Sequence, residues 1–385
     1  MPHDPFNAMA DLCAHPAGGS GPLAGVRVGI KCNIAVAGLP HTGGLLHLKD
    51  QIAARDARVV TQLRSAGASI IGTTTMHEGA LGATTDNAHY GRTHNPHRHG
   101  HTPGGSSGGS GAAVAAGLVD LALGTDTLGS IRIPAAYCGV YGLKPTHGAV
   151  SDDGLIFLEA RLDSIGPLAR DLDMIERAWA VIGPDAPPAP DFARLLVLDK
   201  MAGVACEPAV TAAYVAALLS IRLPQTVLTL PADPAAIRVA ALIAMARALA
   251  HDLGPHRASV SDELGFVLDA LAPQPEDPGL LLMVRDALVA ALGDDGVLLL
   301  PTTPQAAFAQ GGRAPGNAAD FTGLANVAGL PALALPAGWS ADGLPVSVQL
   351  VGPAGSERRL IALGRRLDRA LNQYRPPCGQ QGSDA

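Results

Sequence analysis

Two serines, each set among glycines, lie within residues 102–132, TPGGSSGGSGAAVAAGLVDLALGTDTLGSIR. Ser106 belongs to the first glycine-rich segment and Ser130 to the second, and one short hydrophobic segment separates them. Because glycine has no Cβ, such segments can turn their backbone N–H groups toward a ligand or a reacting oxygen. The short separation predicts that both serines belong to one site.

A lysine ends a short β-like run earlier in the chain. Residues 25–30, GVRVGI, lead into Lys31, which places this lysine at the carboxyl end of a strand, where open α/β sheets bind ligands. The glycine–serine stretch does not end in the Gly-Lys-Ser/Thr of a phosphate loop. The chain also shows neither a G-x-S-x-G strand–turn–helix unit nor a His/Asp pairing for a serine triad. A serine hydroxyl activated by an amine base remains.

Several segments around these residues resemble the motifs of the amidase signature family. The central ones are GIKCN around Lys31, TPGGSSGG around Ser106 and GTDTLGSIRIPAAYCGVYGLKPT around Ser130. The others are MHE at 76–78 with NP at 95–96, LDSIGPLAR at 162–170, LPTTP at 300–304, and Asn326 with GLPALALPAGWSADGLPVSVQLVGP at 329–353. The resemblance spans most of the chain outside roughly residues 185–290.

This resemblance implies a Ser–cisSer–Lys triad with a distinct role for each member. Ser130 is expected to be the nucleophile, Ser106 a proton relay preceded by a cis peptide bond, and Lys31 the base. The oxyanion hole is expected to consist of backbone N–H groups, those of Thr127, Leu128, Gly129 and Ser130. Lys31 must start neutral, and since a free lysine titrates near 10.4, we expect it to be buried.

Neighbouring residues are expected to support the triad. Asp126 and Arg132 are predicted to form an ion pair that shapes residues 127–131, the nucleophile loop, which contains the expected nucleophile Ser130. Thr125 is predicted to hydrogen-bond beside it. Ser107, next to the relay serine, is a further supporting candidate.

Two residues depart from the family pattern. Cys32 stands where an aspartate commonly follows the lysine, and Leu128 stands where glycine is common. The helical segment that usually precedes the lysine strand is nearly absent, and the middle of the chain is short. We therefore expect the pocket shape and the oligomer contacts to differ from those of relatives.

Composition and charge exclude several functional classes. The net charge is −7 and no Lys/Arg-rich run occurs, which argues against a nucleic-acid surface and a polybasic membrane patch. Neither a signal peptide nor an apolar run of spanning length is present, so a cytoplasmic protein is expected. The five cysteines are scattered and odd in number, which is typical of reduced thiols.

Neither a cofactor nor a metal is expected. The histidines at 89, 94, 97, 99 and 101 lack regular ligand spacing and a nearby set of carboxylates. They are predicted to lie in a solvated loop.

The elements that position these residues indicate an α/β protein. Alternating strands and helices, with 48% hydrophobic but 3% aromatic residues, favour one domain with a large, mixed, twisted sheet and helices on both faces. Helices are predicted at about 51–66, 109–119, 234–252 and 257–271, and a strand at 195–198 follows a proline-rich connector at 184–191. We assign this domain to residues 1–375, with a core at 22–183 and 294–372 and a shortened helical substrate-covering region at about 185–293. Residues 376–385 are expected to be a disordered tail.

The functional prediction is hydrolysis of a carbon–nitrogen amide bond through an acyl-serine intermediate. The substrate is expected to be a small or urea-like amide, and the chain to act without nucleic acid or membrane, as a homodimer or in a hetero-complex. One alternative is an amidase-type subunit that releases ammonia within an amidotransferase complex. The other is a non-catalytic interaction protein that keeps the amidase fold.

Overall fold

An eleven-stranded mixed sheet forms the centre of the protein. The computed structural model describes residues 4–14, 18–185, 190–312 and 314–377. Within them the strands are Met9–Leu12 (β1), Arg27–Lys31 (β2), Ser69–Thr74 (β3), Asp86–Asn87 (β4), Gly91–Arg92 (β5), Leu121–Asp126 (β6), Tyr141–Lys144 (β7), Ser164–Ala169 (β8), Arg194–Leu198 (β9), Gln225–Leu228 (β10), Gly296–Pro301 (β11), Ala332–Trp339 (β12) and Pro345–Val351 (β13). The sheet order is β1-β3-β2-β6-β8-β7-β12-β13-β11-β9-β10, and β4 pairs with β5 separately.

Ten α-helices surround this sheet in the described residues. They are Arg58–Ser65 (α1), Gly108–Ala115 (α2), Arg132–Tyr137 (α3), Leu172–Ile182 (α4), Pro208–Ser220 (α5), Pro234–Leu253 (α6), Asp262–Leu271 (α7), Pro278–Leu292 (α8), Thr322–Val327 (α9) and Glu357–Leu371 (α10). None of the helices in this part of the chain is both long and apolar enough to cross a membrane.

Helices cover both faces of the sheet, as the alternation of side chains along its strands shows. In β11, Val297 and Leu299 pack into one hydrophobic cluster with α1, α4, α5 and α10, whereas Leu298 and Leu300 pack into a second cluster with α6, α7 and α8. Since successive strand residues point to opposite faces, the two clusters lie on opposite sides. The predicted α/β fold with a mixed sheet and helices on both faces is confirmed.

The strand ends that carry the site meet at one edge of the sheet. β2 and β6 are parallel neighbours, with Val28 opposite Leu121 and Ile30 opposite Leu123. Both strands therefore end on the same side, β2 at Lys31 and β6 at Asp126. The loop after β6 leads into α3, and Ser106 lies just before α2.

Three element boundaries differ from those the sequence predicted. The helix predicted from about residue 51 begins only at Arg58, because residues 51–57 hydrogen-bond to the segment 35–41 instead. The helix predicted to end at Val119 ends at Ala115, because Gly117 has a φ of +66°. The helix predicted from 257 begins at Asp262, after a short 3₁₀ turn.

The middle region is not only helical. Besides α5 to α8 it contributes β9, which was predicted, and β10, which was not; both extend one side of the sheet. β10 escaped prediction because its residues are largely exposed and lack an apolar alternation. Residues 376 and 377 have no regular secondary structure, and the rest of the predicted tail, 378–385, lies outside the described residues, as do 186–189 of the proline-rich connector.

Candidate active site

Lys31 is fully buried at the end of β2 and donates hydrogen bonds to two hydroxyl groups. Its Nζ donates hydrogen bonds of 2.7 Å to Ser106 Oγ and 2.7 Å to Thr125 Oγ1. Burial lowers the pKa of Lys31 to about 7, and the nearby Cys32, Asp163 and Asp126 oppose this shift only in part. Near neutral pH a large fraction of Lys31 is therefore uncharged and able to accept a proton.

Ser106 lies in a tightly packed loop, and the peptide bond between Gly105 and Ser106 is cis. The hydroxyl of Ser106 faces Lys31, while its carbonyl accepts a hydrogen bond of 3.0 Å from the His77 amide. A Cβ on Gly105 would come within 2.7 Å of the backbone between Ala83 and Thr84. Such close backbone packing explains why glycine is required beside the serine.

Ser130 is the most exposed of the three predicted triad residues, at 9% of its surface. Its carbonyl accepts a 3.2 Å hydrogen bond from the Ser107 amide, which ties the two serine loops together. Its hydroxyl makes no hydrogen bond to any described residue, including Ser106. The structure thus contains the first link of the predicted relay, from Lys31 to Ser106, and leaves the Ser130 hydroxyl open toward a cavity.

Hydrogen bonds between Ser107 and Thr125 connect these loops inside the protein. Ser107 Oγ donates to the Thr125 carbonyl at 3.1 Å and accepts from the Thr125 amide at 3.2 Å. Because Thr125 also accepts from Lys31, the hydroxyl side chains link β2, β6 and the start of α2. Ser107 and Thr125 therefore help to orient Lys31 and, through it, Ser106.

Asp126 organises the nucleophile loop from inside the protein. Its carboxylate accepts hydrogen bonds from the amides of Gly129 at 2.7 Å and Ile131 at 3.2 Å, and pairs with the buried Arg132 guanidinium at 3.0 Å. Burial by itself raises the pKa of Asp126, but the charge and hydrogen bonds of Arg132 outweigh it and lower the pKa to about 2. The carboxylate is therefore ionised at physiological pH and can hold the loop.

The predicted oxyanion hole needs one correction. The Gly129 amide donates to Asp126, so it is not available to an oxyanion in this geometry. The amides of Thr127, Leu128 and Ser130 donate to no acceptor within the described residues. Three of the four predicted donors thus remain free.

Glycine is nevertheless required at position 129 by its conformation. Its φ is +130°, and a Cβ there would collide with Thr322 Oγ1. The Thr322 hydroxyl donates to the Leu128 carbonyl at 2.6 Å. The positive φ and the close hydroxyl together fix the turn that presents Ser130.

Four further buried polar residues support this loop, and the sequence did not predict a role for them: Asp163, Thr322, Asn326 and Gln349. Arg132 donates to Asn326 Oδ1 at 2.6 Å and to Gln349 Oε1 at 2.7 Å, and Thr322 holds Leu128. Asp163 accepts hydrogen bonds from the Thr127 hydroxyl and, at 2.8 Å, from the Leu158 amide. Burial raises the pKa of Asp163 to about 6. Their polar character inside apolar segments was the available signal.

The histidine-rich segment is less solvated than predicted. His89 hydrogen-bonds the buried Glu78 carboxylate at 2.9 Å and His97 the Cys138 carbonyl at 3.0 Å, while His94 stacks on the exposed His99. Four of the five histidines are half-buried because the segment packs back onto the protein. In the described ranges, no group of three or more His, Cys, Asp or Glu side chains is arranged for a metal.

A cavity of about 170 Å³ opens in front of Ser130. Its walls are mostly apolar and come from the segment 80–83, the nucleophile loop, α6 and the loop before α9. Leu128 lines this cavity, so its side chain takes up room that glycine would leave open. Among the lining residues that the structure describes, Arg238 of α6 is the one that carries a charge.

The fold and this arrangement of side chains define an amidase-signature hydrolase. Residues 7–202 and 280–361 match the model of the Amidase family, and the chain belongs to that family. The residues between the two matched ranges include α5, β10, α6 and α7. The part of the chain that departs from the family model thus includes the helix that lines the cavity.

Relatives and a solved structure agree with this membership. The chain is 37% identical to a glutamyl-tRNA(Gln) amidotransferase subunit of Natronomonas pharaonis over 407 residues, which cover 90% of this chain and 96% of the relative. It is 51% identical to the corresponding protein of Methanospirillum hungatei over 181 residues, which cover 47% of this chain and only 42% of that relative. A structure described as a vestigial protein complex that reveals the origins of an s-triazine catabolic enzyme matches with a TM-score of 0.84 at 32% identity, over 94% of this chain and 87% of the other.

Proposed function

We propose that this chain hydrolyses the carbon–nitrogen bond of a small amide, with Ser130 as nucleophile, Ser106 as proton relay and Lys31 as base. The observation that carries the proposal is the 2.7 Å hydrogen bond from a fully buried lysine of lowered pKa to the hydroxyl of Ser106. A buried, largely neutral amine that contacts a serine hydroxyl is the arrangement that a proton relay needs.

In the first half of the reaction, Ser130 Oγ attacks the amide carbonyl carbon. The Ser130 proton passes to Ser106 Oγ, and the Ser106 proton passes to Lys31 Nζ. The negative carbonyl oxygen is stabilised by the free amides of Thr127, Leu128 and Ser130; removal of one such donor typically costs about 3 kcal/mol of transition-state stabilisation. The C–N bond then breaks as the leaving nitrogen takes a proton from Ser106, which regains one from Lys31.

In the second half, water attacks the acyl-Ser130 carbonyl and gives up a proton along the same path. The C–O bond to Ser130 breaks, the carboxylic acid leaves and Ser130 regains its proton. The Ser130 hydroxyl must turn toward Ser106 for either half to proceed, since the two hydroxyls do not hydrogen-bond in this structure. We place that contact in the substrate complex, where catalytic hydrogen bonds often tighten.

The small cavity supports a small acyl group. A volume of about 170 Å³ is below the range typical of sites for drug-sized ligands, roughly 300–1,000 Å³. The narrowing by Leu128 supports the same size limit. A urea-like amide fits this limit, and the relative whose description mentions s-triazine catabolism makes nitrogen-rich substrates a sensible first choice for testing.

The test is release of ammonia or amine from a panel of amides, ureas and carbamates, with Ser130→Ala as the matched variant. The proposal expects turnover by the parent chain, labelling of Ser130 by a fluorophosphonate probe, and loss of both in the variant. Ammonia release that persists in Ser130→Ala would remove Ser130 as nucleophile. No labelling and no turnover would favour the non-catalytic alternative.

A second candidate function is an ammonia-releasing subunit of an amidotransferase. The specific support is the name of the relatives from Natronomonas pharaonis and Methanospirillum hungatei, which are subunits of such an enzyme. The isolated chain discriminates between the two candidates: efficient turnover of free small amides supports the stand-alone amidohydrolase. Turnover that requires an added partner protein supports the amidotransferase role.

A further inference from the structure

One face of α6 forms a wall of the cavity in front of Ser130. Arg238, Leu242 and Met245 all line the cavity and are spaced at i, i+4 and i+7, so they share one side of the helix. Two of the three are apolar, as are most of the other lining residues. Arg238 is therefore the charged residue on an otherwise apolar face of α6.

The contacts of Arg238 fix its orientation and leave part of it unused. Its Nε donates to Asp320 Oδ1 at 2.6 Å, and its side chain is only 17% exposed. This bond to Asp320 is the single hydrogen bond of the guanidinium within the described residues. An arginine fork has five N–H donors, so the two Nη groups retain donors at the end of the side chain.

An occupant with a carboxylate suits these donors best. A carboxylate can accept two parallel hydrogen bonds from the Nη1 and Nη2 end of the fork, the strongest geometry available to arginine. An apolar occupant would cut the Nη donors off from water without a partner, which is costly. A cationic occupant would meet like charge. The Asp320 carboxylate already neutralises the charge of the guanidinium. It binds at Nε, however, so the end of the fork formed by Nη1 and Nη2 remains free.

We propose that Arg238 binds a carboxylate of the substrate, so that the preferred substrate is a short amide whose acyl part carries a carboxylate group. The inference rests on the proposed function, because it places the amide carbonyl at Ser130. Since Arg238 and Ser130 line the same cavity of about 170 Å³, only a few bonds separate the carboxylate from the scissile carbonyl. The position of Arg238 outside the segments that match the family model agrees with a role in the specificity of this chain.

The experiment compares kcat and KM for malonamate, succinamate and glutaramate with those for neutral amides of the same chain length that end in a methyl group. The variants are Arg238→Gln and Arg238→Lys, and the control is Arg247→Gln, which changes an arginine on the same helix that does not line the cavity. The parent chain is expected to prefer one carboxylated amide by at least about tenfold in kcat/KM.

Arg238→Gln is expected to raise KM for that amide by at least about tenfold, with kcat and the constants for the neutral amide nearly unchanged. Arg238→Lys should recover part of the loss, and Arg247→Gln should behave as the parent. Equal turnover of carboxylated and neutral amides by the parent would overturn the inference and leave the proposed function intact. An equal loss for both substrate types in Arg238→Gln would also overturn it, since that result means a structural role.

Labelling of Ser130 by a fluorophosphonate distinguishes failure of the proposed function from failure of the Arg238 assignment. If no amide is turned over and Ser130 is not labelled in the parent chain, the proposed function fails and the inference fails with it. If Ser130 is labelled and neutral amides are hydrolysed without any preference for a carboxylate, only the assignment of Arg238 fails.

Discussion

Lys31 and the two serines divide the tasks of the proposed reaction among residues that are buried to different degrees. Lys31 and Ser106 are sealed inside the protein, whereas Ser130 reaches the cavity. Burial of the proposed base lowers its proton affinity, and exposure of the proposed nucleophile admits the substrate. Each position thus follows from what its residue must do.

Substitution of the relay residues provides the most direct check at this scale. Lys31→Ala and Ser106→Ala are each expected to lower kcat by at least about a hundredfold, because the members of a relay act as a unit. Ser347→Ala removes a buried hydroxyl that hydrogen-bonds the Thr302 side chain and the Leu335 carbonyl but no residue of the predicted triad, and it serves as the control. Near-normal steady-state rates in either relay variant would remove that residue from the mechanism.

The pH dependence of the reaction should report the state of Lys31. Its pKa of about 7 means that the inactive, protonated form dominates below that pH. Accordingly, kcat/KM should fall about tenfold per pH unit below pH 7 and level off above it. A profile measured from pH 5 to 9 tests this, and a flat acid limb down to pH 5.5 would contradict a lysine base.

At the scale of elements, the site depends on the meeting of β2, β6 and two loops. β2 and β6 could be placed from the sequence because short apolar runs end at Lys31 and at the second glycine loop. The loop geometry could not be predicted, since it depends on Thr322 and Asn326, which lie 194 and 200 residues away from their partners Leu128 and Asp126. Local patterns carry no information about such partners.

The dependence on partners that are distant in sequence also explains why the residues that line the cavity were not predicted. A helix over residues 234–252 was predicted and α6 is present, but the periodicity of an alanine-rich helix does not reveal which face meets Ser130. Arg238 was therefore overlooked. The involvement of the Gly129 amide with Asp126 was missed for a related reason: motif resemblance assigns donors by position and not by direction.

Gly129 offers a test of the nucleophile loop as an element. Gly129→Ala is expected to reduce kcat by at least about a hundredfold, since its Cβ would collide with Thr322 and its φ disfavours a side chain. Gly148→Ala is the matched control, because Gly148 also has a positive φ, +75°, but has nothing within 4 Å of the added Cβ. The control should cost about 1–2 kcal/mol of stability and leave turnover intact. Equal activity of the two variants, measured on the same amide, would show that the loop tolerates a side chain.

At the scale of the whole molecule, an uncharged lysine inside the sheet links stability to pH. Between the folded pKa of about 7 and the unfolded value near 10.5, the unfolded chain binds a proton that the folded chain does not. Stability therefore rises with pH across this window, by up to about 1.4 kcal/mol per unit. Below pH 7 both states are protonated and the full cost of burying the charge is present.

Lys31→Met should remove this dependence. Urea unfolding at pH 7.5, 8.5 and 9.5 is expected to show the parent chain gaining stability relative to the variant at each step. Lys49→Met, which changes an exposed lysine, is the control, and its curve should run parallel to that of the parent. Parallel curves for the parent and Lys31→Met would mean that the buried lysine stays charged.

The hydrogen bond from Arg132 to Gln349 joins residues that are 217 positions apart in the sequence, so the two partners are synthesised at different times. A ribosome adds about 5–20 residues per second, so Arg132 leaves the peptidyl-transferase centre roughly 10 to 40 seconds before its partner is made. During that interval the nascent chain holds Lys31, Ser106 and Ser130 but lacks the strand that anchors their loop. The loop that carries the proposed nucleophile Ser130 therefore gains this anchor only after the carboxyl-terminal strands have been synthesised. A shorter nascent chain contains all three proposed catalytic residues without the contact that holds their loop in place.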